Sequence, residues 1–531
     1  MRFGVRYRTL PAVLPMLASL AWAVPLPLSA QTGPVFNVLN YGAGSDGSAL
    51  ATGAFRAAIA AARKAGGGTV FVPAGNYVSG PIELASNLTL YIDAGATIEF
   101  PAMKLPFTPG RQQGVETLTP VPLIGGHDLE NVAVEGRGML TSSNADWMRL
   151  HPRITATPID LGSANGPHWE HLLQALEAHR PVSQAEYRAV AAELRPSFIR
   201  FMNCKNVLVE GLHIVGSPMW TVHLLYTENA TVDNMVIETY PGVHTDGIVV
   251  DSSRFVRLSN DYIDTGDDGI VIKSGKDADG LRVNRPSEDI AIDNCTVHHA
   301  HGAVTIGSET SGSVRNLVAD NITADGTVNG IRIKSRRGRG GVVENVRFDN
   351  WTMRNVGTAI EVTNYYLMEG ETRSGEEPVS NRTPVFRNIA ISNVSINGAR
   401  KLIDIDGLPE MPIESLHIQN VMGSGQSGLT ADYTGDLELH NVLLDPAAGA
   451  SFIIRHSKNF EMDNAGTAKP LAASPVIRLE TSPGAIIRNC RAFPGTNVFL
   501  SAAPRELKSI HLIGNFLEDA RQAEQQIAPA R

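Results

Sequence analysis

Asp246, Asp267, Asp268, His301, Arg332 and Lys334, spread over one stretch of a 531-residue chain, are of the types that hydrolysis of an acidic polymer needs. Adjacent carboxylates beside a third raise one another's pKa, so one can stay protonated as a general acid while another activates water. Glycosidic bond cleavage needs that division of labour. A neighbouring histidine can adjust which carboxyl holds the proton, and an arginine fork with a lysine point charge suits an anionic ligand. Taken singly, an aspartate in a glycine-rich turn is an ordinary turn residue. The case rests on these side chains meeting in space.

A repeat can make them meet. Alternating apolar residues ending in Asn or Gly recur as NVLVEG to Gly211, NATVDN to Asn234, FVRLSN to Asn260 and DIAIDN to Asn294. The pattern continues at Asn321, Asn350, Asn393, Asn420, Asn441, Asn464, Asn489 and Gly514. Most steps are roughly 21 to 29 residues, the signature of a β-solenoid. Each repeat is expected to be one turn, with apolar side chains inward, Asn at a bend that visits left-handed geometry, and insertions on loops. The expected fold is all-β, a single-stranded right-handed parallel β-helix. A leucine-rich-repeat horseshoe has similar periods but needs regular Leu spacing and a helix in each repeat; a sandwich or propeller fits less well.

The asparagines also supply a ruler. Asp267 lies seven residues after Asn260 and His301 seven after Asn294, which puts them in register on neighbouring turns. Asp246 follows Asn234 by twelve and Arg332 follows Asn321 by eleven, so these two are expected to share a second phase on the flanking turns. With turns ~4.8 Å apart the group spans ~15 Å, a few sugar units.

Solenoid ends expose strand edges and need caps. Thr52 to Ala65, with Phe55, Ile59 and Ala62 on one face, reads as an amphipathic helix over the N-terminal end. A second helical stretch, Trp169 to Leu194, broken near Pro181, lies in an insertion of about 150–195 between the turns ending at Gly136 and Gly211. It either decorates the coil or walls off one end of a groove.

Arg2, Arg6 and Arg8 precede an apolar run from Leu10 to Ala23, then Pro25, Pro27 and Ser29-Ala30-Gln31. This is the layout of a secretory signal over residues 1–30, leaving 31–531 as a β-helix catalytic domain. Pro11 and Pro15 interrupt the run, which is shorter than the ~20 residues of a membrane span. Export to the periplasm or out of the cell is therefore expected. Cys204, Cys295 and Cys490 each follow an Asn and are odd in number, so they read as core residues rather than a disulfide framework. No Cys/His cluster has ligand spacing, and neither a metal nor a cofactor is expected. With 43% apolar residues, 19% charged and a net charge of -9, the chain can bury a large core and has no general attraction for nucleic acid. A polyanion would need a local basic site.

The strings HTDGI (His244 to Ile248), TGDDGIVIKSG (Thr265 to Gly275), AHGAV (Ala300 to Val304) and GIRIKS (Gly330 to Ser335) resemble, in order and spacing, the motifs of the polygalacturonase family, family 28 of the glycoside hydrolases. The likeness includes the opening NVLNYGAGSDG and the helix after it. The resemblance implies inverting hydrolysis of α-1,4-linked galacturonan in a cleft on a right-handed β-helix. It implies Asp267 as general acid, Asp246 and Asp268 as activators of water, and His301 as a tuner of the acid. Arg332 and Lys334 would bind galacturonate carboxylates; Tyr365, after EVTN, would correspond to a substrate-contacting tyrosine, and His244 and Glu309 complete the binding candidates.

The family usually has Asn where His244 stands, which replaces a hydrogen bond near the cleavage site by one from a group that titrates. Gly269 replaces a common Cys, and Ala300 replaces a Gly. GSETSGSVRN (Gly307 to Asn316) and RIKSRRGRGG (Arg332 to Gly341) look most like bacterial exo-acting members, with Arg336, Arg337 and Arg339 available to grip terminal uronates. The expected partner is a pectic polysaccharide or oligogalacturonide, handled by a monomer without nucleic acid or membrane. A rhamnogalacturonan or xylogalacturonan hydrolase, a β-helix lyase and a non-catalytic carbohydrate-binding solenoid are the alternatives; the last gives no reason for the three aspartates to fall on hydrolase motifs.

Overall fold

The computed structural model describes residues 33–150, 166–367 and 372–528. The leader reading over 1–30 and part of the insertion, 151–165, lie outside the described residues. Parallel pairing links successive turns from the strand Val35–Asn37 to the strand Gln522–Gln526, winding a right-handed parallel β-helix as the repeat spacing predicts. Inward side chains stack in rows. Val134, Val209, Val232, Leu258, Ile292 and Ala319 pair in register on consecutive turns, and all are fully buried or nearly so. Strand alternation sends every second residue inward, so Val, Ile and Leu at alternate positions are enough to build this core.

The bends are held by asparagines. From Asn234 to Asn489 the Asn residues that end the repeats have φ between 48° and 60°, a region that costs most residues about 1–2 kcal/mol. Their amides stack along the axis: Asn294 donates to Asn260 at 2.6 Å, Asn321 to Asn294 at 3.0 Å and Asn441 to Asn420 at 2.8 Å. A second ladder runs beside the first, with Asn206 donating to Asn131 at 2.8 Å and Asn229 to Asn206 at 2.7 Å. It is written in the sequence as the Asn that heads NVLVEG and NATVDN and stands second in ENVAVEG.

Helix α1 (Thr52–Lys64) buries Phe55, Ala58, Ile59 and Ala62 over the N-terminal turns. The helical insertion starts earlier than the expected 150 and carries α2 (Asn144–Leu150), α3 (Pro167–Glu177) and α4 (Gln184–Ala191), the last opened by a Ser183–Glu186 capping box. A short α5 (Asp277–Val283) follows later. An antiparallel hairpin of Phe107–Gln112 with Val115–Pro120, which the repeat pattern does not announce, packs its second strand against α4 and α5. Val115 of the hairpin joins Trp169, Leu172, Val190 and Leu194 of the insertion in an apolar cluster separate from the core of the coil. Two ties pin the hairpin to the coil: Arg111 pairs with Asp251 at 2.7 Å, both fully buried, and Arg200 donates to Thr119 at 2.7 Å. Cys204, Cys295 and Cys490 are buried and free. No helix of the described residues is long and apolar enough to cross a membrane.

Asn321→Ala removes the bond to Asn294 and the one received from Asn350 at 3.3 Å. It is expected to cost about 1–3 kcal/mol in denaturant unfolding, with Asn321→Gly recovering only the backbone share.

Candidate active site

The site sits at the mouths of four consecutive turns. Gly247 donates its N–H to the Asp268 carbonyl at 3.0 Å, which sets Asp246 in line with Asp268, and His301 donates its N–H to the Asp267 carbonyl at 2.9 Å. Asp267 and His301 are thus in register as the asparagine ruler expects. Asp246 and Arg332 are not: Arg332 pairs in register with Thr305, three positions beyond the glycine that lies in line with Asp268. The ruler slips because it counts along the chain, and the loop 239–247 is longer than the loop 265–269 at the same corner.

One oxygen from each of Asp246, Asp267 and Asp268 lies within 4.8 Å of the other two. Such a group resembles a cation site, but lysines already supply the positive charge. Asp268 accepts from Lys334 Nζ at 3.0 Å and from the Thr305 hydroxyl at 3.0 Å. Asp267 accepts the Asp268 N–H at 2.8 Å and faces His301 Nδ1 at 3.2 Å. Asp246 has the loosest partner, Lys273 at 4.0 Å, because Lys273 is drawn to Glu309 at 2.9 Å.

These unequal partnerships separate the carboxyl groups. Burial, then the charge of Asp267, pushes Asp246 well above the usual carboxylate range. Burial acts the same way on Asp267, but the hydrogen bond and charge of His301 override it and hold Asp267 well below that range. His301 is raised above its ordinary value, first by its hydrogen bond to Asp267. The cluster thus favours the protonated form of Asp246 and the charged form of both Asp267 and His301. Glu309, which burial alone would raise, is brought down to about 2, chiefly by Lys273.

A cleft of about 550 Å³ collects His244, Asp246, Asp267, Asp268, His301, Arg332 and Lys334. Arg332 is braced by Glu361 at 2.6 Å. Tyr365 does not line this cleft: its ring lies beneath Arg337 and Arg373, with centroid distances of 5.3 and 4.8 Å. The next residue, Tyr366, lines it instead, 5.1 Å from Lys334 and 5.5 Å from Arg332. Of the two adjacent tyrosines, only Tyr366 therefore faces the cleft. Glu309 is on the cleft wall, but its carboxylate is engaged by Lys273, so it serves a lysine rather than a uronate. Arg337 is held by Glu410 at 2.6 Å and Arg339 by Asp277.

His244 departs from the expectation of a titrating group: burial above all lowers it to about 4. At Gly269 a β-carbon would come within 2.5 Å of Val297 and 2.9 Å of the Ala303 carbonyl, so any larger residue would force its neighbours to shift. Lys273 was missed by motif reasoning although the alternation after Asp268 already turns it outward, with Ile270 and Ile272 inward.

The hairpin and the insertion close one side. Gln113, Val115, Glu170, Leu173 and Glu177 line the same cleft, and Arg382 from the opposite rim reaches Glu177 at 3.0 Å.

Grouped carboxylates, a paired histidine and two cations in a cleft on a parallel β-helix define a glycoside hydrolase. The chain belongs to the family described as glycosyl hydrolases family 28, which matches residues 66–432. Among solved structures it resembles an exopolygalacturonase from Thermotoga maritima, with 32% identity, a TM-score of 0.68, and 78% of this chain and 92% of that chain covered. It is 24% identical over 434 residues to an exo-poly-alpha-D-galacturonosidase of Dickeya chrysanthemi, covering 77% of this chain and 70% of that protein. A probable polygalacturonase of Vitis vinifera is 25% identical over 399 residues, 72% of this chain and 73% of its own.

Lys273→Met leaves Glu309 buried without its cation and is expected to cost about 3–5 kcal/mol in denaturant unfolding. Adding Glu309→Gln should return most of that loss, as a double-mutant cycle would measure.

Proposed function

We propose that this chain is an exo-acting polygalacturonase that hydrolyses α-1,4-galacturonosidic bonds at the end of a pectic chain. The observation that carries the reading is the convergence of Asp246, Asp267 and Asp268 beside Arg332 and Lys334 in a cleft walled by the hairpin and α3. A polymer can extend from such a cleft in one direction only, which is what attack at a chain end requires. Export through the leader-like segment 1–30 and action as a monomer belong to the same proposal.

Asp267 is the general acid. In the open cleft its pair with His301 holds one proton, carried by the imidazole. A sugar that displaces water lowers the local dielectric and disfavours separated charge, so the proton moves to Asp267, where it can protonate the departing oxygen. Asp246 and Asp268 take the proton of the attacking water, and Arg332 and Lys334 hold the uronate carboxylates. Asp246 must be ionised to act, so activity falls as pH drops through its raised pKa. The His301–Asp267 proton must be present, so activity also falls as pH rises through the raised His301 value. A bell-shaped kcat/KM profile is expected, its acid limb above the usual carboxylate range and its basic limb above that of an ordinary imidazole. Asp267→Asn is expected to abolish reducing-sugar release, and His301→Asn to remove the basic limb.

Inversion comes with the family resemblance, since the carboxylate oxygens lie closer than the ~6.5–9.5 Å usual for inverting pairs. Time-resolved NMR of the first product should show the β anomer; the α anomer would overturn inversion. Polygalacturonate should yield monomer or dimer from the start of the reaction, and early mixed oligomers would overturn the exo reading.

A further inference from the structure

We propose that Arg195 is a positioning residue that fixes His244 as a neutral imidazole with its proton on Nε2, making His244 a hydrogen-bond donor in the cleft. Arg195 Nη2 lies 3.3 Å from His244 Nδ1. A guanidinium can only donate, so Nδ1 must offer its lone pair and cannot carry a proton. The remaining proton of the neutral ring is then on Nε2. The other end of the fork is fixed to backbone, donating from Nη1 to the carbonyls of Pro218 at 2.5 Å and Val243 at 3.0 Å. Val243 directly precedes His244, so one side chain sets both the loop and the ring. Arg195 is 3% exposed and His244 6% exposed, which leaves little water to compete for either.

The surroundings favour the neutral ring. His244 is faced by Asp267, Arg195, His301 and Lys273; burial dominates and takes it down to about 4, against the pull of Asp267. Arg195, lowered by burial to about 10, still carries its charge at neutral pH. His244 also takes φ of 56°, a conformation that asparagine adopts readily. A neutral Nε2–H on that backbone offers what an asparagine amide offers there: a donor without charge. The absence of charge matters because His301 already holds Asp267 ionised, and a second cation beside it would oppose transfer of the proton to Asp267. The loop is held from the far end of the insertion as well, Val243 donating its N–H to Asn144 at 3.3 Å. The segment that walls the cleft therefore also sets the donor inside it.

The effect on turnover rests on the hydrolase reading; the tautomer does not. In full-length protein labelled with ¹⁵N-histidine, with the His244 signals assigned by their loss in His244→Asn, Nε2 should be protonated and Nδ1 bare from about pH 5 to about pH 8. A proton on Nδ1, or titration within that window, would overturn the proposal whatever the enzyme does with substrate. Arg195→Leu, checked for folding by circular dichroism, removes a cation from beside the ring, so the His244 pKa should rise and its proton should no longer be confined to Nε2. Its activity on polygalacturonate at about pH 5, relative to pH 7, should then fall about tenfold further than in the parent protein. On a His244→Asn background the same change should leave the shape of the profile alone. An equal loss at every pH on both backgrounds would reduce Arg195 to a structural role and sink the proposal.

Discussion

Everything in this molecule depends on the register between turns, and the asparagine ladders set that register. A slip of one residue between parallel strands would turn the apolar rows outward and the site residues inward. Stacked amides resist it because each asparagine must find its neighbour's oxygen while holding a left-handed bend. Close backbone contact finishes the constraint near the site. A β-carbon on Gly266 would fall 2.0 Å from the Gly242 carbonyl, and one on Gly302 would meet Thr305 at 2.2 Å and Asp268 at 3.1 Å. The glycines flanking the aspartates are there to let turns approach and to leave room for carboxylates.

Once register has gathered three carboxylates, electrostatics decides what they can do. Asp268 has Lys334 at 3.0 Å, Asp267 has His301 at 3.2 Å, and Asp246 has Lys273 only at 4.0 Å. Burial and the charge of Asp267, offset only by this distant lysine, raise Asp246, while the histidine pair holds Asp267 down. A symmetric set of partners would leave the three groups alike and give no separation of acid from base.

Much of this was legible in the chain. The repeat, the inward rows and the capping helix follow from periodicity, and the Asp267–His301 register follows from counting residues between asparagines. The same count misplaced Asp246 against Arg332 because loop 239–247 has its own length, which no repeat constrains. The resemblance points to Tyr365, whereas Tyr366 lines the cleft, and only the direction of the side chains separates the two. Position alone offers Glu309 as a substrate contact, but Lys273 at 2.9 Å engages it, and residue type alone makes His244 a titrating group, which its burial opposes. The hairpin gave no warning, since its strands carry no repeat and find their place through Arg111 and Asp251.

The sequence by itself determined the coil, the family and the residues on offer at the site, because each is encoded by spacing between neighbours along the chain. Tertiary structure alone decided which carboxyl is raised and which lowered, which side of the cleft is closed, and which nitrogen of His244 faces Arg195. Those outcomes hang on pairs distant in sequence, Lys334 with Asp268, Arg111 with Asp251 and Arg195 with His244, whose meeting leaves no period to read.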